Sequence, residues 1–165
     1  MPNLDLIKSK IFATRDDIRY WLGYWRFHEK KVVFTNGCFD LLHQGHIDYL
    51  SRAADLGNVL IIGLNTDESV KRIKGEGRPV QDEYSRALVL ASLRFVDAVV
   101  LFNEDTPYDL IKAIQPDTLV KGSDYKAEQI VGYDVVTQKG GNVVTIDYLE
   151  GFSTTGLIGK INSLK

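Results

Sequence analysis

Cysteine is all but missing from this chain, with Cys38 the only one in 165 residues. A lone thiol excludes an internal disulfide framework and a multi-cysteine zinc cage, and it suits a reducing compartment. Proline is scarce, at 4 residues, and no Pro- or Gly-rich tract divides residues 31–165. No stretch approaches the ~20 apolar residues of a membrane span, and Met1 to Lys10 lacks a continuous apolar core of secretory length. Excess charge is also lacking. Lys and Arg total 20 against 22 Asp and Glu, a formal net charge of -2, so there is no global attraction to nucleic acid or to an anionic membrane. The expectation is a cytoplasmic protein with neither of those partners, in which any phosphate chemistry rests on a local site.

The composition that remains, 44% hydrophobic and 25% charged, is that of a globular domain, and a chain of this length buries roughly two-thirds of its unfolded surface. Thr14 and Asp17 stand at capping-box spacing ahead of Ile18, Trp21, Leu22 and Trp25, which predicts an amphipathic helix over 15–27 within an N-terminal helical extension, residues 1–30. Its aromatic face suits either a homodimer contact or packing onto the chain's own sheet. From residue 31 onward, β-branched runs alternate with helical segments. Val32–Phe34, Val59–Gly63, Ala98–Leu101, Thr118–Val120 and Val143–Ile146 read as five strands, apolar on both faces. Helices are expected to start near Gln44, Thr66, Asp82, Thr106, Gly132 and Ser153, with Pro107 at the first position of its helix. The pattern predicts an α/β, Rossmann-like domain over 31–165, a parallel five-stranded sheet flanked by helices. Such sheets bind ligands beyond the carboxyl ends of their strands.

Directly after the first of these strands comes Thr35-Asn36-Gly37-Cys38-Phe39-Asp40-Leu41-Leu42-His43-Gln44-Gly45-His46. Free N–H groups and the dipole at the following helix start favour an anion, Gly45 admits close backbone approach, and imidazole N–H groups can donate to phosphate oxygens. A zinc pair and a plain helix cap are the competing readings of the two histidines. Neither a Walker A loop nor a GxGxxG pattern is present. Near the C-terminus, Ser153-Thr154-Thr155 opens the last helix and supplies a second phosphate grip, with Ser153 the natural N-cap. Lys71, Arg72, Lys74 and Arg78 make a basic, glycine-broken segment, read as a mobile flap over a leaving pyrophosphate. Asp40 either orients its loop or meets the ligand, and Arg94 either reaches the phosphates or pairs with Asp97.

The run ending His43-Gln44-Gly45-His46 resembles the HxGH motif of the cytidylyltransferase-like nucleotidyltransferases, and Ser153-Thr154-Thr155 is similar to that family's second motif, with Phe152 where isoleucine is common. The resemblance is nearest to the heptose-phosphate adenylyltransferases, through Lys71 to Val80, Phe95-Val96-Asp97, Glu104 to Pro107 and Val120 to Tyr125. It implies transfer of AMP from ATP to D-glycero-beta-D-manno-heptose 1-phosphate, giving ADP-heptose for lipopolysaccharide core synthesis, with a separate sugar kinase upstream. His43, His46 and Lys74 would be catalytic. Thr35, Asn36, Gly37, Phe39, Asp40, Gly45, Arg94, Ser153, Thr154 and Thr155 would hold the nucleotide, and Lys121, Gly122, Asp124 and Tyr125 the sugar phosphate. Mg2+ is expected to arrive with the triphosphate, since the carboxylates form no cluster and no protein metal site is anticipated. Glycerol-phosphate cytidylyltransferase and a non-catalytic nucleotide sensor are the rival readings.

Overall fold

Val32 and Phe34 face one side of the central strand and Val33 the other, and all three are buried, because helices cover both faces of the sheet. The computed structural model describes residues 1–124 and 126–164. In chain order its elements are α1 (Asn3–Lys8), β1 (Ile11–Phe12), α2 (Arg19–Phe27), β2 (Val32–Gly37), α3 (Gln44–Ala54), β3 (Val59–Asn65), α4 (Asp67–Lys74), α5 (Glu83–Ser92), β4 (Ala98–Phe102), α6 (Tyr108–Ile114), β5 (Thr118–Gly122), α7 (Tyr133–Gln138), β6 (Asn142–Ile146) and α8 (Thr154–Ser163). The strands form one parallel sheet in the order β1-β4-β3-β2-β5-β6.

The sheet therefore has six strands where the sequence pattern gives five. The extra strand, β1, is two residues long and too short to show periodicity. It exists because the sheet edge recruits it, pairing Ile11 with Val99 and Phe12 with Val100. Residues 1–30 thus contribute a strand as well as helices. Ile18 and Leu22 join one core layer with Phe34, Ile61 and Leu110, while Ile7 packs against the other. Thr14 does not cap α2: its N–H and hydroxyl both donate to Asp17 Oδ2, at 2.9 and 2.8 Å, closing a turn ahead of a helix that starts at Arg19. Pro107 likewise sits at the N-cap of α6, one position earlier than expected, without a side-chain cap bond. Thr66 and Asp82 do cap α4 and α5, accepting from Ser69 and Ser85 N–H groups. No helix among the described residues is long and apolar enough to cross a membrane.

After β2 the chain lays down β3 and β4 on one side and then crosses to place β5 and β6 on the other. The order reverses between β2 and β5. Loops leaving these two strands diverge at their carboxyl ends and leave a crevice there.

Candidate active site

The crevice is a cleft of about 400 Å3, lined chiefly by Asn36 to Asp40, His46, Lys74, Arg78, Lys121 and Thr154. It receives groups from four strand ends. β2 supplies the Asn36 to Asp40 turn, with α3 presenting His43 as N-cap and His46 in its first turn. The segment after β3 supplies Lys74 and Arg78, β5 supplies Lys121 and Asp124, and the segment after β6 supplies Tyr148, Thr154 and Thr155. Thr154 Oγ1 donates to Leu41 O at 3.3 Å, which ties the start of α8 to the turn before α3.

His43 and His46 lie stacked, ring centroids 3.8 Å apart, with Phe39 edge-on to His46 and Phe152 parallel to His43. Gly45 permits this cluster. A Cβ there would stand 3.1 Å from both His43 Nδ1 and Phe152 Cβ. Burial lowers the His43 pKa, and burial together with the His43 ring takes His46 down to about 4, against a weaker upward pull from the Leu41 carbonyl. Both imidazoles are neutral at pH 7 and can donate one N–H each. Three buried polar atoms, Asn36 Oδ1, His43 Nδ1 and His46 Nδ1, have no hydrogen-bond partner among the described residues. Buried polar groups are rarely left so, and these three lie together around the start of α3.

Two buried charges lock the cleft's walls together. Asp40, 2% exposed, accepts from Arg78 Nε at 2.6 Å, from Val80 N–H at 2.8 Å and from Gln81 N–H at 3.0 Å. Burial alone would raise its pKa, but the two amides and the guanidinium outweigh that and hold the carboxyl below its ordinary value. Arg86, 1% exposed, donates to Cys38 O at 2.6 Å, Gln81 O at 3.0 Å and Asp67 Oδ1 at 2.7 Å. Asp40 is thus a loop-orienting group. Within the basic segment, Lys71, Arg72 and Lys74 belong to α4, and just past its far end the Val80 and Gln81 amides donate to Asp40.

Other expected site residues part company. Thr35 is fully buried with its hydroxyl 2.8 Å from Tyr49 Oη, so it supports the floor of the site from below. Ser153 accepts from Gly156 N–H as the α8 N-cap. Arg94 is exposed in the turn before β4, at the amino end of the sheet, because α5 runs back from the cleft to the opposite edge. It does not pair with Asp97, which accepts from Leu60 N–H at 2.8 Å. Gly122 is a packing glycine, since a Cβ would fall 2.1 Å from Tyr148 Oη. Lys121 sits with its ammonium pKa lowered by burial, opposed in part by Asp124. Tyr125 lies outside the described residues. Among those described, no group of three or more His, Cys, Asp or Glu is gathered for a metal. The sequence reading gave no role to Arg86, Tyr49, Cys38 or Tyr148. Only Arg86 left a trace, as a cation among the apolar residues of an amphipathic helix.

A switch-point cleft with two helix starts, paired imidazoles and several cations suits a phosphate-bearing ligand. The Cytidylyltransferase-like family model matches residues 34–155, and the chain belongs to that family. It is 54% identical over 151 residues to Bifunctional protein HldE of Nitrobacter hamburgensis, covering 92% of this chain and 31% of that protein. With Bifunctional protein HldE of Campylobacter concisus it shares 57% over 137 residues, 83% of this chain and 28% of that protein. The chain therefore spans about a third of the length of these relatives. Among solved structures, the lipopolysaccharide core biosynthesis protein from Thermoplasma volcanium GSS1 superposes with a TM-score of 0.62 at 30% identity, over 73% of this chain and 99% of that one.

Proposed function

We propose that the chain transfers AMP from ATP to D-glycero-beta-D-manno-heptose 1-phosphate and releases pyrophosphate. The observation that carries this is the meeting, in one cleft, of the α3 start with its stacked imidazoles, the α8 start with Thr154 and Thr155, and the cations Lys74, Arg78 and Lys121. The identity to the HldE proteins and the likeness to a lipopolysaccharide core biosynthesis protein support the choice of sugar. A sugar-phosphate oxygen attacks the α-phosphorus of ATP, the bond from that phosphorus to the bridging oxygen breaks, and pyrophosphate leaves with the electron pair. The nucleophile is already anionic at neutral pH, so alignment and charge neutralisation are the protein's task. His43 and His46 donate N–H bonds to the transferring and leaving phosphates, Lys74 offsets charge on the pyrophosphate, and Thr154, Thr155 and the amides of Gly37 and Phe39 cradle the nucleotide. Lys121 and Asp124 face the sugar phosphate and its hydroxyls.

Mg2+ would travel with the triphosphate and supply charge neutralisation there; among the described residues no group of three or more His, Cys, Asp or Glu is gathered to hold it. A sugar kinase activity supplies the 1-phosphate. The exposed Tyr20, Tyr24 and Phe27 on α2 are the face available to a second copy.

The test is pyrophosphate release from ATP with the heptose 1-phosphate, alongside CTP with glycerol 3-phosphate. Faster release from the glycerol pair overturns the sugar assignment, and nucleotide binding without release from either pair identifies a sensor.

A further inference from the structure

The four cations of the basic segment have different fates. Arg72 is spent on Asp105, at 3.1 Å, and on the Asn103 carbonyl. Lys71 lines a separate surface depression with Glu68 and Glu83. Lys74 and Arg78 alone of the four line the cleft. Arg78 differs from Lys74 in being fixed. Its side chain is 20% exposed and its Nε is committed to Asp40 at 2.6 Å, yet neither η nitrogen has a hydrogen-bond partner among the described residues. Asp40 itself cannot swing away, because the amides of Val80 and Gln81 hold its two oxygens.

A guanidinium gripped at Nε by a rigid carboxylate presents the remaining edge of its planar fork in one orientation. Its η donors suit two oxygens of a phosphate, and little rotamer entropy is left to lose on binding. A merely structural Arg–Asp pair accounts poorly for this arrangement: Asp40 already accepts two backbone amides, and the pair stands at the wall of the cleft with donors left over. We propose that Arg78 is a phosphate-binding residue of this site and that Asp40 is its positioning residue. The inference builds on the nucleotidyltransferase reading above. It names the shared chemistry, a phosphate group, which either ATP or the sugar phosphate supplies.

The experiment uses the full chain and the variants Arg78→Ala, Arg78→Lys and Asp40→Asn. Calorimetry with inorganic pyrophosphate, MgATP and the heptose 1-phosphate reads binding apart from turnover, and steady-state kinetics give KM and kcat for each substrate. Arg78→Ala is expected to weaken at least one of these ligands by about 10- to 100-fold, the range of a lost charge-assisted bond, with binding read below its melting temperature, which falls because the buried Asp40 keeps only its amide donors. Arg78→Lys recovers only part, since a point charge cannot copy the fork. Added guanidinium ion restores activity to the Ala variant and not to the Lys variant. Weaker pyrophosphate and MgATP binding assigns Arg78 to the triphosphate, and weaker sugar-phosphate binding alone assigns it to the acceptor. Asp40→Asn should show the same ligand-selective loss, with little further loss when Arg78→Ala is added. Wild-type affinity of the Ala variant for all three ligands overturns the proposal. If Asp40→Asn fails to fold, guanidinium rescue of Arg78→Ala decides, and its absence overturns the positioning claim. Should the wild-type protein bind pyrophosphate through Arg78 yet ignore the heptose, the sugar assignment falls and the role of Arg78 stands.

Discussion

The rings of His43 and His46 are stacked at a centroid separation of 3.8 Å, their planes inclined by 22°. Two imidazoles this close in a half-buried turn cannot readily both be charged, so the free site is poised as a pair of neutral donors. Under the proposed function, charge developing on a bound phosphate gains N–H bonds without displacing a counter-ion.

His46→Ala should lower turnover by a factor on the order of 100 or more, the effect of losing one preorganised oxyanion donor. The fold should survive, since His46 Nδ1 has no hydrogen-bond partner among the described residues. Far-ultraviolet dichroism beside a pyrophosphate-release assay checks this, and a folded variant with most of its activity removes His46 from the mechanism.

The depressed His46 pKa sets a direction for pH effects. An unfolded chain protonates this imidazole near 6.5, while the folded one holds off until about 4. Between those values the unfolded state binds the extra proton, so stability is full above about pH 6.5 and declines as pH falls toward 4. His43, shifted in the same direction, adds to the decline. Asp40 acts lower: its depressed pKa means its contribution is lost only as pH drops below its ordinary 3.8. Melting temperatures should therefore fall from pH 7 to 4.5, and less steeply in His46→Gln. An imidazole resonance for His46 titrating near 6.5 in the free protein would contradict the structure.

Arg86→Met should destabilise the protein by about 3 kcal/mol, because it removes a buried guanidinium that bonds two carbonyls and the Asp67 carboxylate together. Urea unfolding measures the loss. Since Arg86 also fixes the Cys38 carbonyl, kcat should drop in the folded fraction, and an unchanged midpoint would show the clamp to be dispensable.

Ile18→Ala is expected to cost about 2–5 kcal/mol, the range for a fully buried isoleucine, although Ile18 stands in the N-terminal segment. A change under about 0.5 kcal/mol would mark residues 1–30 as an appendage.

Chelation should abolish activity, and added Mg2+ or Mn2+ restore it, with no metal retained by the protein after gel filtration. Full turnover in excess chelator is the contrary result.

Five of the six strands were written in local sequence, because a strand buried on both faces needs an unbroken β-branched run and little else has that composition. The turns at the cleft were legible for a similar reason: glycine, histidine and hydroxyl residues at a helix start have few packing uses. β1 was not legible, since two residues carry no period and only the free edge of β4 makes them a strand. The division of labour among polar residues was also decided in three dimensions. Thr35 turned inward to Tyr49, Arg94 was carried to the far edge by the direction of α5, and Asp40 was claimed by amides 40 and 41 positions away. Residue type and local spacing say which groups can bond. Which partner each one meets depends on where the sheet order brings distant segments together, and that is set by the crossover between β4 and β5 rather than by any neighbouring residue.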